Sequence, residues 1–152
     1  MKPYHRPTIL QDVVELAPVL RPEDVREVAL HGHTPEQALC IGYLSGSLTR
    51  SVINNYGQVV GMYGVVRISD ISGRIWMLGS KGLLKISRPF LKESRSEVEN
   101  MHKLFPNLTN FIDSRNAVHV RWVRWLGFKF LGETVINNVK LYEFSRLSDG
   151  GI

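Results

Sequence analysis

Cysteine is nearly absent from this chain. Cys40 is the only one in 152 residues, which excludes an intramolecular disulfide and a cysteine-based zinc site and points to a reducing compartment. Its neighbours Ala38, Leu39 and Ile41 make it read as a small packed side chain rather than a nucleophile. No metal site is expected, because His31 and His33 stand two apart with no third ligand nearby and read as part of a loop. No apolar run approaches the roughly 18 residues of a membrane span, and no signal-type stretch opens the chain, so a soluble product made in the cytoplasm is expected. Internal repeats and low-complexity segments are missing too. Acidic residues are outnumbered, 14 against 19 lysines and arginines, and the net charge of +5 leans toward anionic partners without forming the charge blocks of a nucleic-acid arm.

What is present suits one globular domain. A hydrophobic content of 43% supports a core across residues 1–147, with 148–152 as a frayed tail. Residues 4–10 read as a strand restricted by Pro7. Asp12 is placed as the N-cap of a first helix that stops before Pro18, Pro22 opens a second with Glu23 and Asp24 favouring its macrodipole, and Thr34 caps a third carrying Ala38, Leu39, Ile41 and Leu44. Residues 48–54 and 58–66 are β-rich runs around the turn signal at 54–57. Ser72-Gly73 reads as a further turn before a buried strand at Ile75–Leu78. Ser87 with Pro89 then starts a helix carrying Phe90, Leu91, Val98, Met101 and Phe105, closed by Pro106. A strand at 108–112, a helix at 115–126 and two strands around Asn137-Asn138 complete the order β-α-α-(α)-β-β-β-α-β-α-β-β, an α+β pattern.

The stretch RNAVHVRWVRWLGF, residues 115–128, poses the functional question, because it mixes arginines with tryptophans. Val118, Trp122 and Leu126, with Trp125, fall on one helical stripe and are expected to face the sheet; the arginines take other faces, and Gly127 suits a left-handed C-terminal cap. Core, rather than base stacking, is the expectation for the tryptophans.

A strand ending near Asp113, then Asn116, an amphipathic helix and Gly127-Phe128 resembles the closing unit of the GNAT N-acetyltransferase superfamily, and the element order is similar over nearly the whole chain. That resemblance implies a mixed, mostly antiparallel sheet flanked by helices, with acyl-CoA between two splayed strands and its pyrophosphate on backbone amides at the start of the central helix. The segment that would bind it, residues 78–88, has Gly79, Lys81 and Gly82, but the family's glycine spacing is lost and Pro89 removes an amide donor. The tyrosine that protonates the leaving thiolate in many members falls in register with Val123, which has no proton to give. No catalytic residue is assigned: Glu36, Tyr63 and His119 are all conceivable as a base. Ser80, Lys81 and Asn116 are the expected cofactor-binding residues.

A narrower resemblance, over residues 70–131, is to the internal virion protein A family of short-tailed bacteriophages, carried by Trp76, Ser80, Arg88, Phe90, Arg95, Asn116, His119, Val120, Arg121, Trp122 and Val123. It implies a GNAT-like fold with no CoA cofactor, used in a virion or its assembly. Its partners would be other phage structural proteins, and its location the infected host's cytoplasm and then the particle. The alternative is an active N-acetyltransferase that uses acetyl-CoA on a host protein or small amine. Weak nonspecific DNA contact through Lys85, Arg88, Lys92 and Arg95 is a third expectation, moderated by Glu93, Glu97 and Glu99 on the same segment.

Overall fold

Alternating apolar residues build one seven-stranded sheet, ordered β1-β2-β3-β4-β5-β7-β6. The strands are β1 (Tyr4–Pro7), β2 (Gly46–Ile53), β3 (Val59–Arg67), β4 (Ser72–Gly79), β5 (Asn107–Asp113), β6 (Lys129–Ile136) and β7 (Val139–Leu147). All neighbours run antiparallel except β4 and β5, which are parallel. The computed structural model describes residues 2–86 and 88–148, with side chains for all of these except 88–91. The expected cap at Ser87, the first-turn role of Pro89, the packing of Phe90 and Leu91, the Arg88 side chain and the tail at 149–152 lie outside the described residues.

Because side chains alternate across a strand, the sheet carries two cores. Helices α1 (Leu10–Leu16), α2 (Pro22–Leu30) and α3 (Pro35–Ser45) bury Val13, Leu16, Val28 and Leu39 against Ile53, Met62 and Leu78. On the opposite face α4 (Arg88–His102) and α5 (Ala117–Trp125) bury Val98, Met101 and Val123 against Val65, Leu108, Ile112 and Phe144. Cys40 packs against the first of these cores, as its apolar neighbours predict. Among the described residues no helix is long and apolar enough to cross a membrane.

Local chemistry explains most boundaries. Thr34 caps α3 in a reciprocal box with Gln37. Asn137 and Asn138 carry the positive φ values, 50° and 64°, that a two-residue hairpin between β6 and β7 needs. Three expectations are corrected. Ser72-Gly73 is not a turn but the start of β4: a Cβ on Gly73 would lie 2.6 Å from the Phe105 ring, so the glycine admits a core aromatic rather than reversing the chain. Asp12 is not the N-cap of α1; Ile9 is, and Asp12 sits three residues on, buried, accepting from the Ile9 N–H (3.0 Å), Arg6 (2.8 and 2.9 Å) and Ser51 (2.7 Å). Burial acts against its charge, but these donors hold the carboxyl below its usual range. On α5 the buried stripe is His119, Val123 and Leu126: Leu126 packs in the core as expected, while His119 and Val123 take the places expected of Val118 and Trp122. Trp122 is only partly buried, and Trp125 stands at the surface beneath the Arg95 guanidinium, 4.0 Å from the ring centroid.

Gly42 shows how tightly α3 meets the sheet. A Cβ there would run into the Trp76 indole of β4, a large, sheet-anchored group with little freedom to yield. Gly42→Ala is expected to lower stability by about 1–3 kcal/mol despite its better helix propensity, read as a fall in urea midpoint; an unchanged midpoint would show that the ring moves aside freely.

Candidate functional site

Strands β4 and β5 pair only over Ser72–Arg74 and Asn107–Thr109. Beyond that point their outer edges stay in the sheet, β4 on β3 to Gly79 and β5 on β7 to Asp113, while the facing edges part. Main-chain groups left on such edges require partners. At the narrow end the Asn110 amide supplies one, donating to the Ile75 carbonyl at 2.7 Å.

At the wide end helix α2 and its N-cap residue supply three more. The Gly79 N–H donates to Asp24 Oδ2 at 2.9 Å, the Arg21 N–H donates to the Gly79 carbonyl at 2.9 Å, and the Asp113 N–H donates to Glu27 Oε1 at 2.6 Å. One helix thus holds the ends of both strands through two carboxylates a single turn apart. Between these anchors strand alternation turns the Met77 N–H and C=O to the same gap, where no ladder among the described residues reaches them.

The anchors are welded by a buried charge network. Arg21, with a side chain 3% exposed, donates from Nη2 to Asp24 Oδ1 at 3.1 Å and to Asn116 Oδ1 at 3.2 Å. The Asn116 amide donates back to Asp24 Oδ1 at 3.4 Å, and His119 Nδ1 lies 3.7 Å from the same oxygen. Burial pulls the His119 pKa below its ordinary value, with Asp24 pulling the other way. Burial pushes Glu27 up to about 7; the Asp113 N–H opposes this and the charges of Asp24 and Asp113 add to it.

Asp24, Glu27 and His119 bring three metal-type ligand atoms within 4.8 Å of one another, a cluster that no short sequence spacing announces. A cation is already there: the Arg21 guanidinium and the Gly79 and Asn116 donors occupy the Asp24 oxygens, which leaves the cluster a poor metal cage.

The gap opens into a cavity of about 670 Å³ that passes between the strands, within the size range of small-molecule sites. Trp76, Phe111, Glu27, His31 and Arg74 line its α2 side, and Trp122, Val98, Met101, Tyr63 and His5 line the other. The indole N–H groups of Trp76 and Trp122 are buried without a hydrogen-bond partner among the described residues. His5 Nδ1 lies 2.8 Å from the Tyr63 hydroxyl, with Glu93 and Glu97 carboxylates at 3.4 and 3.5 Å from the His5 ring. Burial first, then the charge of Glu97, lifts the Tyr63 hydroxyl above its usual range, so it stays a neutral donor.

The residues expected from sequence land in different settings. Asn116 stands at the N-cap position of α5, but its side chain makes no capping bond and lies instead within the Arg21–Asp24 network. Ser80 is buried and caps the short 3₁₀ turn Lys81–Lys85, accepting from the Gly82 N–H at 3.2 Å. Lys81 is exposed at the start of that turn. Gly79 and Gly82 are explained by packing: a Cβ would meet Leu83 at 2.5 Å on the first and Val60 at 2.7 Å on the second. Of the conceivable bases, Glu36 is exposed on α3 outside the cavity lining, whereas Tyr63 and His119 line the cavity. Val123 is buried in the core and also reaches the cavity. In the basic segment Lys85 and Lys92 are exposed, and Arg95 is engaged by Trp125.

A mixed seven-stranded sheet whose one parallel pair splays over a cavity has close counterparts among solved structures. An acetyltransferase of the GNAT family from Bacillus anthracis superposes with a TM-score of 0.71 at 10% identity, over 97% of this chain and 95% of that one. The chain has the GNAT acetyltransferase fold. The ribosomal-protein-S5-alanine acetyltransferase of Vibrio fischeri gives 0.68 at 15% identity, over 100% and 96% of the two chains. The spermidine N-acetyltransferase of Vibrio cholerae, solved in complex with CoA and spermine, gives 0.66 at 11% identity, over 96% and 95%. No protein-family model and no curated protein sequence matches the chain. Within the GNAT fold the splayed pair is β4–β5, and the buried Arg21–Asp24–Asn116 network stands at its wide end.

Proposed function

We propose that the chain is an N-acyltransferase that takes its acyl group from acetyl-CoA or a related pantetheine thioester and passes it to an amine. The observation that carries this reading is the open β4 edge at Met77 above a through-going cavity. An N–H and a C=O side by side match an amide-bearing arm laid alongside the strand. Of the segment expected to cradle phosphates, the Gly82, Leu83 and Ile86 N–H groups are spent inside the turn, so the fit rests on the strand edge, with Ser80, Lys81 and Asn116 around its end.

The thioester supplies an activated acyl carbon when bound. Glu27, facing the cavity from α2, accepts the proton that the amine loses as its nitrogen bonds to that carbon. A carboxyl near 7 can do this at neutral pH and then pass the proton to solvent. Val123 offers no acid for the leaving sulfur, but a thiol of ordinary pKa near 8.5 departs with little assistance.

Isothermal titration with acetyl-CoA and with CoA tests the reading. Micromolar binding, accompanied by a rise in melting temperature, is expected; absence of binding at millimolar ligand overturns it. That negative result would favour the second reading, a GNAT-like fold kept as a component of a phage particle through contacts with other phage structural proteins. This reading is motivated by the resemblance over residues 70–131, the inward-turned amides and Val123.

A further inference from the structure

The α2 side of the cavity carries opposite charges at two depths. Asp24 is neutralised by Arg21, which leaves Glu27 as the carboxylate on this side of the cavity, near the wide end of the gap; Glu93 and Glu97 line the other side, beside His5. His31 follows Glu27 by four residues on the same helical stripe, about 6 Å away. Beyond His31 comes Arg74 of β4, close enough for its charge to act on the His31 ring. Arg74 is exposed and has no carboxylate partner among the described residues. Strand alternation puts Arg74 and Trp76 on the same face of β4, and Phe111 of β5 completes an apolar wall between the two charges.

Resting on the acyltransferase reading, we infer that the acceptor is an aminocarboxylate, a primary amine with an anionic group several bonds away. Its ammonium is directed to Glu27, its carboxylate to Arg74, and its apolar chain lies between Trp76 and Phe111. A polyamine is disfavoured, since its second ammonium would be driven against the Arg74 guanidinium. The fold neighbour crystallised with spermine therefore does not supply the acceptor class here.

The test is a molecular ruler. With acetyl-CoA saturating, kcat/KM is measured by thiol release for ω-aminocarboxylates from glycine to 6-aminohexanoate, for the alkylamines of equal length and for the matching diamines. An aminocarboxylate longer than glycine is expected to be the best acceptor, exceeding the diamine of its length by about tenfold or more. Arg74→Glu, an exposed substitution, should reverse that order while the dissociation constant for acetyl-CoA stays within about twofold. A wild-type preference for diamines, an order unmoved by Arg74→Glu, or acetyl-CoA binding with no member of the series acetylated overturns the inference. If acetyl-CoA itself fails to bind, the underlying reading falls and this one with it, and the titration tells the two failures apart.

Discussion

Asp24→Ala should cost about 3–5 kcal/mol of stability. The carboxylate is fully buried and takes donors from Arg21, Asn116 and the Gly79 backbone at once. Removing it leaves a guanidinium 3% exposed, with Asn116 and a Glu23 oxygen at 3.9 Å as its remaining side-chain partners among the described residues, and an orphaned N–H at the end of β4. Against a total stability of about 5–15 kcal/mol, that is a large fraction, visible as a fall in urea midpoint at constant slope. Asp24→Asn keeps the acceptor for Gly79 but not the charge, and should recover only part of the loss. If either variant loses less than about 1 kcal/mol, Arg21 is compensated from elsewhere and the network is not what holds the gap.

Glu27→Gln should separate stability from activity. The unfolded carboxyl titrates near 4.5 and the folded one near 7, so the folded state binds the proton more tightly. Stability is therefore full below about pH 4.5, declines as pH rises through the window to 7, and stays low above it. The decline is on the order of 3 kcal/mol. Glutamine has no charge to bury and can still accept from the Asp113 N–H. The variant should match the parent at pH 4 and exceed it by up to that amount at pH 8. Acyl transfer should fall by about 10²–10⁴ because the proton acceptor is gone, with acetyl-CoA affinity retained. Unfolding curves at the two pH values and initial rates check both halves; a variant less stable at pH 8, or one with undiminished kcat, would remove Glu27 from the role given to it.

Much of the fold was legible because its signals are local. Thr34 with Gln37, the Asn137-Asn138 pair and Gly127 at φ 92° each satisfy a backbone requirement within a few residues, and alternation places the strands. The site was harder to see. The resemblance points to Asn116 and Ser80, and both lie at the wide end of the gap, but nothing local marks Arg21 or Glu27, and Asp24 reads in sequence as an acid placed to suit a helix dipole. Only partners far along the chain give these residues their meaning. One signal was available: Asp24, Glu27 and His31 share a helical stripe with buried Val28, and a polar group on an apolar stripe needs a partner from another element. Ser72-Gly73 misled for the opposite reason, since a glycine that admits a neighbouring ring looks the same as one that turns the chain.

The contacts that hold β4 and β5 apart span long stretches of chain. Asp24 and Gly79 are 55 residues apart, Glu27 and Asp113 86, Arg21 and Asn116 95. Closing loops of that length costs more entropy than forming the hairpins and helices on either side, so the cleft is expected to assemble after them. In a chevron plot the Asp24 variant should accordingly leave the refolding limb almost unmoved and raise the unfolding limb at unchanged slope. On that expectation the gap that reads as a binding site is also, on the folding clock, the last seam to close and the first to open.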